Sequence, residues 1–140
     1  MADEPIPRGV IDTSVVIDLE HVDPGDLPAE LAVSAITLAE LAAGPHATAD
    51  PQERARRQDR LQRAEATFEP LPVDANVARA YGRIYASVAG AGRKARGARS
   101  LDLLIAATAL ASHLPLYTRN PADFSGTESL IDILAVEPAT

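Results

Sequence analysis

A short apolar stretch near the start of the chain ends abruptly in polar residues. The stretch Gly9–Ile11 is followed directly by Asp12, Thr13 and Ser14. Its β-branched residues favour a buried strand, and either hydroxyl can cap a helix that begins next. In α/β sheets, ligands bind where strands end and helices begin. This corner therefore predicts an α/β fold and makes Asp12 a candidate site residue, although an Asp here also suits a plain helix cap or turn.

The rest of the chain continues the alternation of short strands and helices. Further strands are predicted at 31–35, 115–118 and 130–136, and helices at 15–19, 36–43, 51–68, 75–89 and 101–112, the last capped by Ser100. No hairpin turn sequence occurs in the first hundred residues, so helices should connect parallel strands. The pattern predicts a three-layer α/β/α fold with a mainly parallel central sheet. We expect a single domain over residues 1–140, with its core at about 8–137.

Composition narrows the possible functions. The chain has no cysteine, which excludes disulfides, zinc–thiolate sites and thiol nucleophiles. A net charge of −7 argues against bulk electrostatic coating of nucleic acid, so a role on RNA needs bound metal or a local basic segment. The start of the chain lacks signal-peptide features, and the apolar run at 103–111 is too short to span a bilayer. We expect a cytoplasmic protein that does not enter membranes.

A basic segment lies between the last two predicted helices. Arg93, Lys94, Arg96 and Arg99 fall within seven residues that contain no acid. Arg119 is a further cation, directly after a predicted strand. Arginine and lysine bind phosphate oxygens through charge-assisted hydrogen bonds. These five residues are therefore possible contacts for RNA phosphates.

Four acidic residues differ from the others because each lies at a predicted strand end or in a helix beside apolar residues. They are Asp12, Glu40, Asp102 and Asp123, which we call the acidic quartet. The carboxyl ends of parallel strands meet at one edge of a sheet, so these side chains can converge there. Oxygen ligands without a Cys or His cluster select hard cations such as Mg²⁺ or Mn²⁺. The carboxylates would repel one another without a cation, so metal should stabilise the fold.

Each acid also has a purely structural explanation. Glu40 stands three residues after Thr37 and has the spacing of a capping box. Asp102 falls in the first turn of a helix, where the helix dipole favours an acid. Asp123 follows Pro and Ala and suits an ordinary turn. These explanations are independent of one another, so the joint case for a site is stronger than the case for any single acid.

Four segments together resemble a known family. They are Val10–Ser14, Ser34–Leu41, Leu101–Ala109 and Thr118–Phe124, in this order across nearly the whole chain. The sequence resembles the PIN-domain family and, within it, the VapC-type toxins of bacterial type II toxin–antitoxin pairs. The resemblance implies a Mg²⁺- or Mn²⁺-dependent endoribonuclease, usually a homodimer. It also implies a VapB-type antitoxin whose C-terminal segment occupies the active-site groove.

Position by position, the resemblance assigns catalysis and metal binding to the acidic quartet. Asp12 and Asp102 are the best candidates for direct ligands. Thr13 or Ser14 matches a hydroxyl position near the metal, and Asn120 matches a polar residue of the site. The basic segment is not part of the acidic signature, so its assignment to RNA does not come from the resemblance.

Two other classes of function compete with the nuclease, namely a silent scaffold and a protein that is phosphorylated on Asp12. A catalytically silent PIN-like scaffold could bind RNA or a partner, but it would have no need of four mutually repelling carboxylates. An aspartyl-phosphate phosphatase needs a second acid two residues after the first, where Ser14 stands. A receiver needs a lysine downstream of its phosphorylated Asp, and the only lysine, Lys94, lies in a glycine-rich loop. We therefore predict an endoribonuclease that attacks RNA with activated water, with the silent scaffold as the alternative.

Overall fold

The fold is built on a parallel sheet of four strands. The computed structural model describes residues 7–93, 97 and 99–139. The strands are β1 (Arg8–Ile11), β2 (Glu30–Ala32), β3 (Leu116–Thr118) and β4 (Ile133–Ala135). They lie in the order β2-β1-β3-β4, and every neighbouring pair is parallel. The predicted parallel α/β sheet is confirmed.

Helices connect these strands in the predicted order. They are α1 (Thr13–Ile17), α2 (Ala35–Ala43), α3 (Pro51–Thr67), α4 (Ala75–Gly90) and α5 (Arg99–Ala111), with 3-10 helices at Pro24–Asp26, Gly44–Ala47 and Pro121–Phe124. Helices α3 and α4 begin at their predicted caps, because Asp50 accepts from the Gln52 amide and Asp74 from the Val77 amide. Within the described ranges, no helix combines the length and the hydrophobicity needed to pass through a bilayer.

The two faces of the sheet pack against different helices. Val10 and Leu116 belong to a core cluster with α4 and α5. Ile11 and Tyr117, the next residue of each strand, pack with side chains of α1, α2 and α3. Successive strand residues point to opposite faces, so β1 and β3 are covered on both sides. This is the three-layer arrangement that the strand and helix pattern predicts.

Two predicted boundaries near β2 are wrong. The strand ends at Ala32 rather than at residue 35, and α2 begins at Ala35 rather than at residue 36. The cause is Ser34, whose Oγ accepts a hydrogen bond from the Ile36 amide at 3.1 Å. A serine in this conformation starts a helix and so ends the strand before it.

Helices α1 and α5 also differ from the prediction at their starts. The cap of α1 is Asp12 rather than Thr13 or Ser14, and this helix ends at Ile17. Helix α5 begins at Arg99, so Ser100 is part of its first turn and does not cap it. At the end of the chain, β4 is limited to Ile133–Ala135 within the longer predicted segment 130–136.

Strand β1 lies where the chain connectivity changes direction, with β2 on one side and β3 on the other. Such a switch point leaves a crevice outside the carboxyl ends of the two central strands. The Asp12 amide donates to the carbonyl oxygen of Tyr117 at 3.0 Å, which joins the ends of β1 and β3. The candidate site lies at this edge of the sheet.

Candidate active site

Asp12 is buried at the carboxyl end of β1, with only 5% of its surface exposed. Its Oδ1 accepts hydrogen bonds from the Val15 amide at 3.1 Å and from Ser14 Oγ at 2.6 Å. Burial raises the pKa of Asp12, while hydrogen bonds from Ser14 and Thr118 oppose that rise. Asp12 therefore has the capping role that the sequence left open. Capping does not exclude ligation, because a carboxylate has two oxygens and about four lone-pair positions.

Glu40 is joined to the same corner through Thr13. Thr13 Oγ1 donates to Glu40 Oε1 at 2.7 Å and lies 3.0 Å from Thr37 Oγ1. Glu40 is the sixth residue of α2, which Ser34 caps, so the capping box with Thr37 is wrong. The contact with Thr13 instead ties α2 to the start of α1 and restricts rotation of the Glu40 carboxylate.

Asp102 lies in the first turn of α5, half-buried, and is under the influence of the other three acids. Burial and then the charges of Asp123, Glu40 and Asp12 raise its pKa from 3.8 to about 6, against the lowering effect of Arg99. Charges separated by more than about 10 Å are largely screened, so the contributions of these three charges indicate that Asp123, Glu40 and Asp12 lie near Asp102. The structure thus brings the acidic quartet together at one edge of the sheet.

Asp123 is the most exposed member of the quartet and lies on the 3-10 helix after β3. Its amide donates to the carbonyl oxygen of Asn120, and the Asn120 amide donates to Thr118 Oγ1, both at 3.0 Å. The Asn120 side chain is exposed and does not cap this turn. Phe124, which is 1% exposed, anchors the turn in the core. The turn therefore determines where Asp123 lies.

Two of the cations predicted to contact RNA already have partners within the protein. Arg99 Nη2 donates to the carbonyl oxygen of Asp123 and, at 3.5 Å, to that of Ser125. Arg119 Nη1 forms an ion pair with Asp18 at the end of α1. The backbone amide of Arg119 also donates to Ser14 Oγ at 3.1 Å. Both arginines therefore support the architecture of the site.

The other three cations of that set give less structural information. Arg93 is exposed at the end of the segment that follows α4. Lys94 and Arg96 lie outside the described residues. Arg93 is thus the one described member of the five whose side chain is exposed to solvent.

Two hydroxyl residues of the site were not predicted. Thr118 and Thr37 are fully or almost fully buried and contact the elements that carry Asp12 and Glu40. Thr118 is the last residue of the predicted strand 115–118, so its place at a strand end was a signal available in the sequence. Thr37 stands three residues before Glu40 on one helix face, which is a second signal available in the sequence.

The quartet fits a hard divalent cation by its chemistry and charge. Its donors are carboxylate oxygens with hydroxyls beside them, which are the ligands that Mg²⁺ and Mn²⁺ prefer. Over the described parts of the chain, no three acidic or histidine side chains already stand in an arrangement that could hold a metal ion. Like charges at one site disfavour each other's ionised form, so a bound cation would favour a closer arrangement of these acids. The pKa of Asp102 is raised first by burial and then by the charges of the other three acids.

Comparisons with known proteins agree with this geometry. Residues 9–128 match the family model of the PIN domain. The chain is 37% identical over 128 residues to Ribonuclease VapC5 of Mycobacterium tuberculosis, covering 89% of this chain and 91% of that protein. It is 36% identical over 110 residues to Ribonuclease VapC8 of the same species, covering 78% and 96%.

A solved structure has the same fold. It is the crystal structure of VapBC-5 from Mycobacterium tuberculosis, a member of the VapBC family of toxin–antitoxin systems. The TM-score is 0.77 at 34% sequence identity, and the match covers 94% of this chain and 99% of that chain. The similarity therefore extends over the whole sheet and its helices.

Proposed function

The chain belongs to the PIN domain family, and on this premise we propose that it is the ribonuclease of a toxin–antitoxin pair. Similarity to two proteins named Ribonuclease VapC and to a VapBC structure supports cleavage of RNA. The observation that carries the assignment of the site is the convergence of four acids from different elements. The raised pKa of Asp102, with three other carboxylates among its causes, supports that convergence.

We propose Mg²⁺ or Mn²⁺ as the cofactor. Asp12 and Asp102 are the residues expected to hold it directly, and Glu40 and Asp123 would bind directly or through water. When bound, the cation would lower the pKa of the attacking water and offset negative charge on the phosphate. The net charge of −7 makes this offset necessary, since RNA must approach a cluster of carboxylates.

The protein groups then have separate tasks. Ser14 and the Val15 amide hold Asp12 Oδ1, and Thr13 holds Glu40 Oε1, so both carboxylates are oriented before substrate arrives. Asp123 is exposed, and its carboxylate is suited to orienting the attacking water or accepting its proton. Orientation of this kind lowers the entropic cost of the reaction.

Cleavage assays on purified protein test the proposal. Excess EDTA should stop RNA cleavage, and Mg²⁺ or Mn²⁺ should restore it. Asp12→Asn and Asp102→Asn should each reduce turnover by more than the roughly 10–100-fold that loss of a supporting residue costs. Asp59→Asn, on the exposed face of α3, is the matched control and should cleave like the wild type.

The catalytically silent scaffold remains the second candidate. The observation that favours it is that the described acids do not yet form an arrangement that could hold metal. RNA binding without cleavage in Mg²⁺ and in Mn²⁺ would support the scaffold. Cleavage that persists in excess EDTA would instead support ribonuclease activity and contradict its dependence on a divalent cation.

We propose a VapB-type antitoxin as the protein partner, because the similar solved structure is a toxin–antitoxin system. We also propose a homodimer and a cytoplasmic location, which suit the family resemblance and an RNA substrate. Co-expression with the product of a small neighbouring reading frame should yield a complex that no longer cleaves RNA. Light scattering of the toxin alone should give twice the mass of the chain.

A further inference from the structure

We propose that Arg99 is a positioning residue for the acidic quartet and does not contact RNA phosphates. The inference rests on the proposed function, because it assigns Arg99 to the reaction at that site. It is carried by contacts between the first turn of α5 and the turn that holds Asp123.

Arg99 connects two elements that each carry an acid. It is the first residue of α5 and stands one helical turn before Asp102. Its Nη2 reaches the 3-10 helix after β3 and donates to the carbonyl oxygens of Asp123 and Ser125. These two residues flank Phe124, which is buried in the core. Arg99 and Phe124 therefore both hold the turn and limit the positions open to Asp123.

The positive charge of Arg99 also helps to hold the acids of the quartet in position. A guanidinium stays protonated at any pH relevant to a protein, so it is a permanent cation beside the quartet. Arg99 lowers the pKa of Asp102, whereas the other three acids raise it. Loss of the cation would increase repulsion among the carboxylates as well as release the turn.

The geometry disfavours a phosphate contact at Arg99. A guanidinium binds phosphate best when its planar fork is open to a bidentate ligand. Here Nη2 is committed to backbone carbonyls, and Nε is buried with no hydrogen-bond partner among the described residues. RNA would have to break the contacts that hold Asp123. Arg93 is exposed, so burial does not hinder a phosphate contact by its side chain.

Arg99→Lys and Arg99→Gln test the inference. Lysine keeps the charge without the planar fork, and glutamine removes the charge. Arg54→Lys is the matched control, because Arg54 donates Nε to the Pro45 carbonyl at 3.1 Å and Nη2 to the Thr48 carbonyl at 2.9 Å, on α3. Arg54 thus makes the same kind of contact away from the quartet.

Three measurements separate positioning from RNA binding. The first is amide hydrogen exchange of the peptide covering 121–127 in EDTA, which reports on the turn without metal or RNA. The second is the affinity for Mn²⁺ alone by calorimetry. The third is the affinity for a short fluorescein-labelled single-stranded RNA of mixed sequence in EDTA, measured by anisotropy over a range of salt concentrations.

For both Arg99 variants we expect faster exchange in 121–127 and Mn²⁺ affinity that falls by about 10–100-fold. RNA affinity and its salt dependence should match the wild type, and Arg54→Lys should change none of the three. If Arg99→Gln does not fold, the exchange in 121–127 and the Mn²⁺ affinity of Arg99→Lys decide whether Arg99 positions the turn.

Two results would overturn the inference. One is wild-type exchange and Mn²⁺ affinity in Arg99→Lys. The other is weaker RNA binding in Arg99→Gln, with the salt slope reduced by about 1, as loss of a phosphate contact requires. A wild-type protein that neither binds Mn²⁺ nor cleaves RNA would contradict the proposed function instead, and exchange in 121–127 would still show whether Arg99 holds the turn.

Discussion

Asp102→Asn should make the metal-free protein more stable at neutral pH. The substitution retains the size of the side chain and removes the charge that three other carboxylates oppose. A rise in pKa from 3.8 to about 6 corresponds to about 3 kcal/mol for a fully buried group. Asp102 is half-buried, so solvent screening reduces this combined cost of burial and repulsion to about 1–2 kcal/mol. The helix dipole favours an acid in the first turn by about 0.3–1 kcal/mol, which leaves a net gain of about 1 kcal/mol.

The sign of the pH dependence follows from the direction of the pKa change. The folded protein holds the Asp102 proton more tightly than the unfolded chain does, so ionisation destabilises the folded state. The free energy of unfolding of the wild type should therefore fall as pH rises from about 4, and this fall should be complete above about 7. The advantage of the Asn variant should therefore be about half as large at pH 5 as at pH 7.5.

Urea denaturation followed by circular dichroism in EDTA measures this difference. The chain has no tryptophan, so far-UV signal from the five helices is the suitable probe in the described fold. At pH 7.5 the variant should also melt about 2–4 °C above the wild type. Asp59→Asn should change the free energy of unfolding by less than about 0.5 kcal/mol. A variant that is no more stable than the wild type at pH 7.5 would show that burial and the other acids do not disfavour the charge of Asp102.

Three further outcomes are expected. Thr13→Val removes the hydrogen bond to Glu40, so the free energy of unfolding should fall by about 1 kcal/mol and turnover by about tenfold, measured by urea denaturation and RNA cleavage. Gly9→Ala should lower the free energy of unfolding by about 1–3 kcal/mol, because an added Cβ would lie 2.4 Å from Cε1 of Tyr117. Mn²⁺ at about 100 times its dissociation constant should stabilise the protein by about 2.7 kcal/mol in thermal unfolding, and Asp12→Asn should abolish that effect.

Each of these outcomes has a control. Thr67→Val, at the end of α3, should leave turnover unchanged, and equal losses in both threonine variants would contradict the role of Thr13. Gly82→Ala should stabilise by about 0.5–1 kcal/mol, because it lies inside α4 with open space around an added Cβ. If Gly9→Ala proves equally stabilising, the contact with Tyr117 is not tight. Stabilisation of Asp12→Asn by Mn²⁺ to the wild-type extent would place the metal elsewhere.

The order of strands and helices could be predicted because its signals are local. Asp50 and Asp74 mark the starts of α3 and α4, because each side chain accepts a hydrogen bond from an amide within the next three residues. The boundaries at Ser34 and Arg99 were harder, because several nearby residues can each begin a helix. Which one does so depends on tertiary packing, which the local pattern does not contain.

The acids of the site were predictable as residues, but their contacts were not. The bond from Thr13 to Glu40 spans 27 positions, and the contact from Arg99 to Asp123 spans 24. Residues so far apart in the chain are not neighbours on one helix or strand, so only the packed structure brings these groups together. For the same reason the sequence alone suggests Arg99 and Arg119 as RNA contacts, and only the structure shows that both have partners within the protein. A cation in a sequence does not reveal whether its partner lies elsewhere in the same chain.

The position of β1 between β2 and β3 also affects what happens while the chain is being synthesised. The first strand can pair early with β2, but its other edge remains open until the ribosome has released Leu116–Thr118. Asp123 emerges later still. No fragment that stops before the third strand contains all four acids, so the site can be completed only after Asp123 has been synthesised.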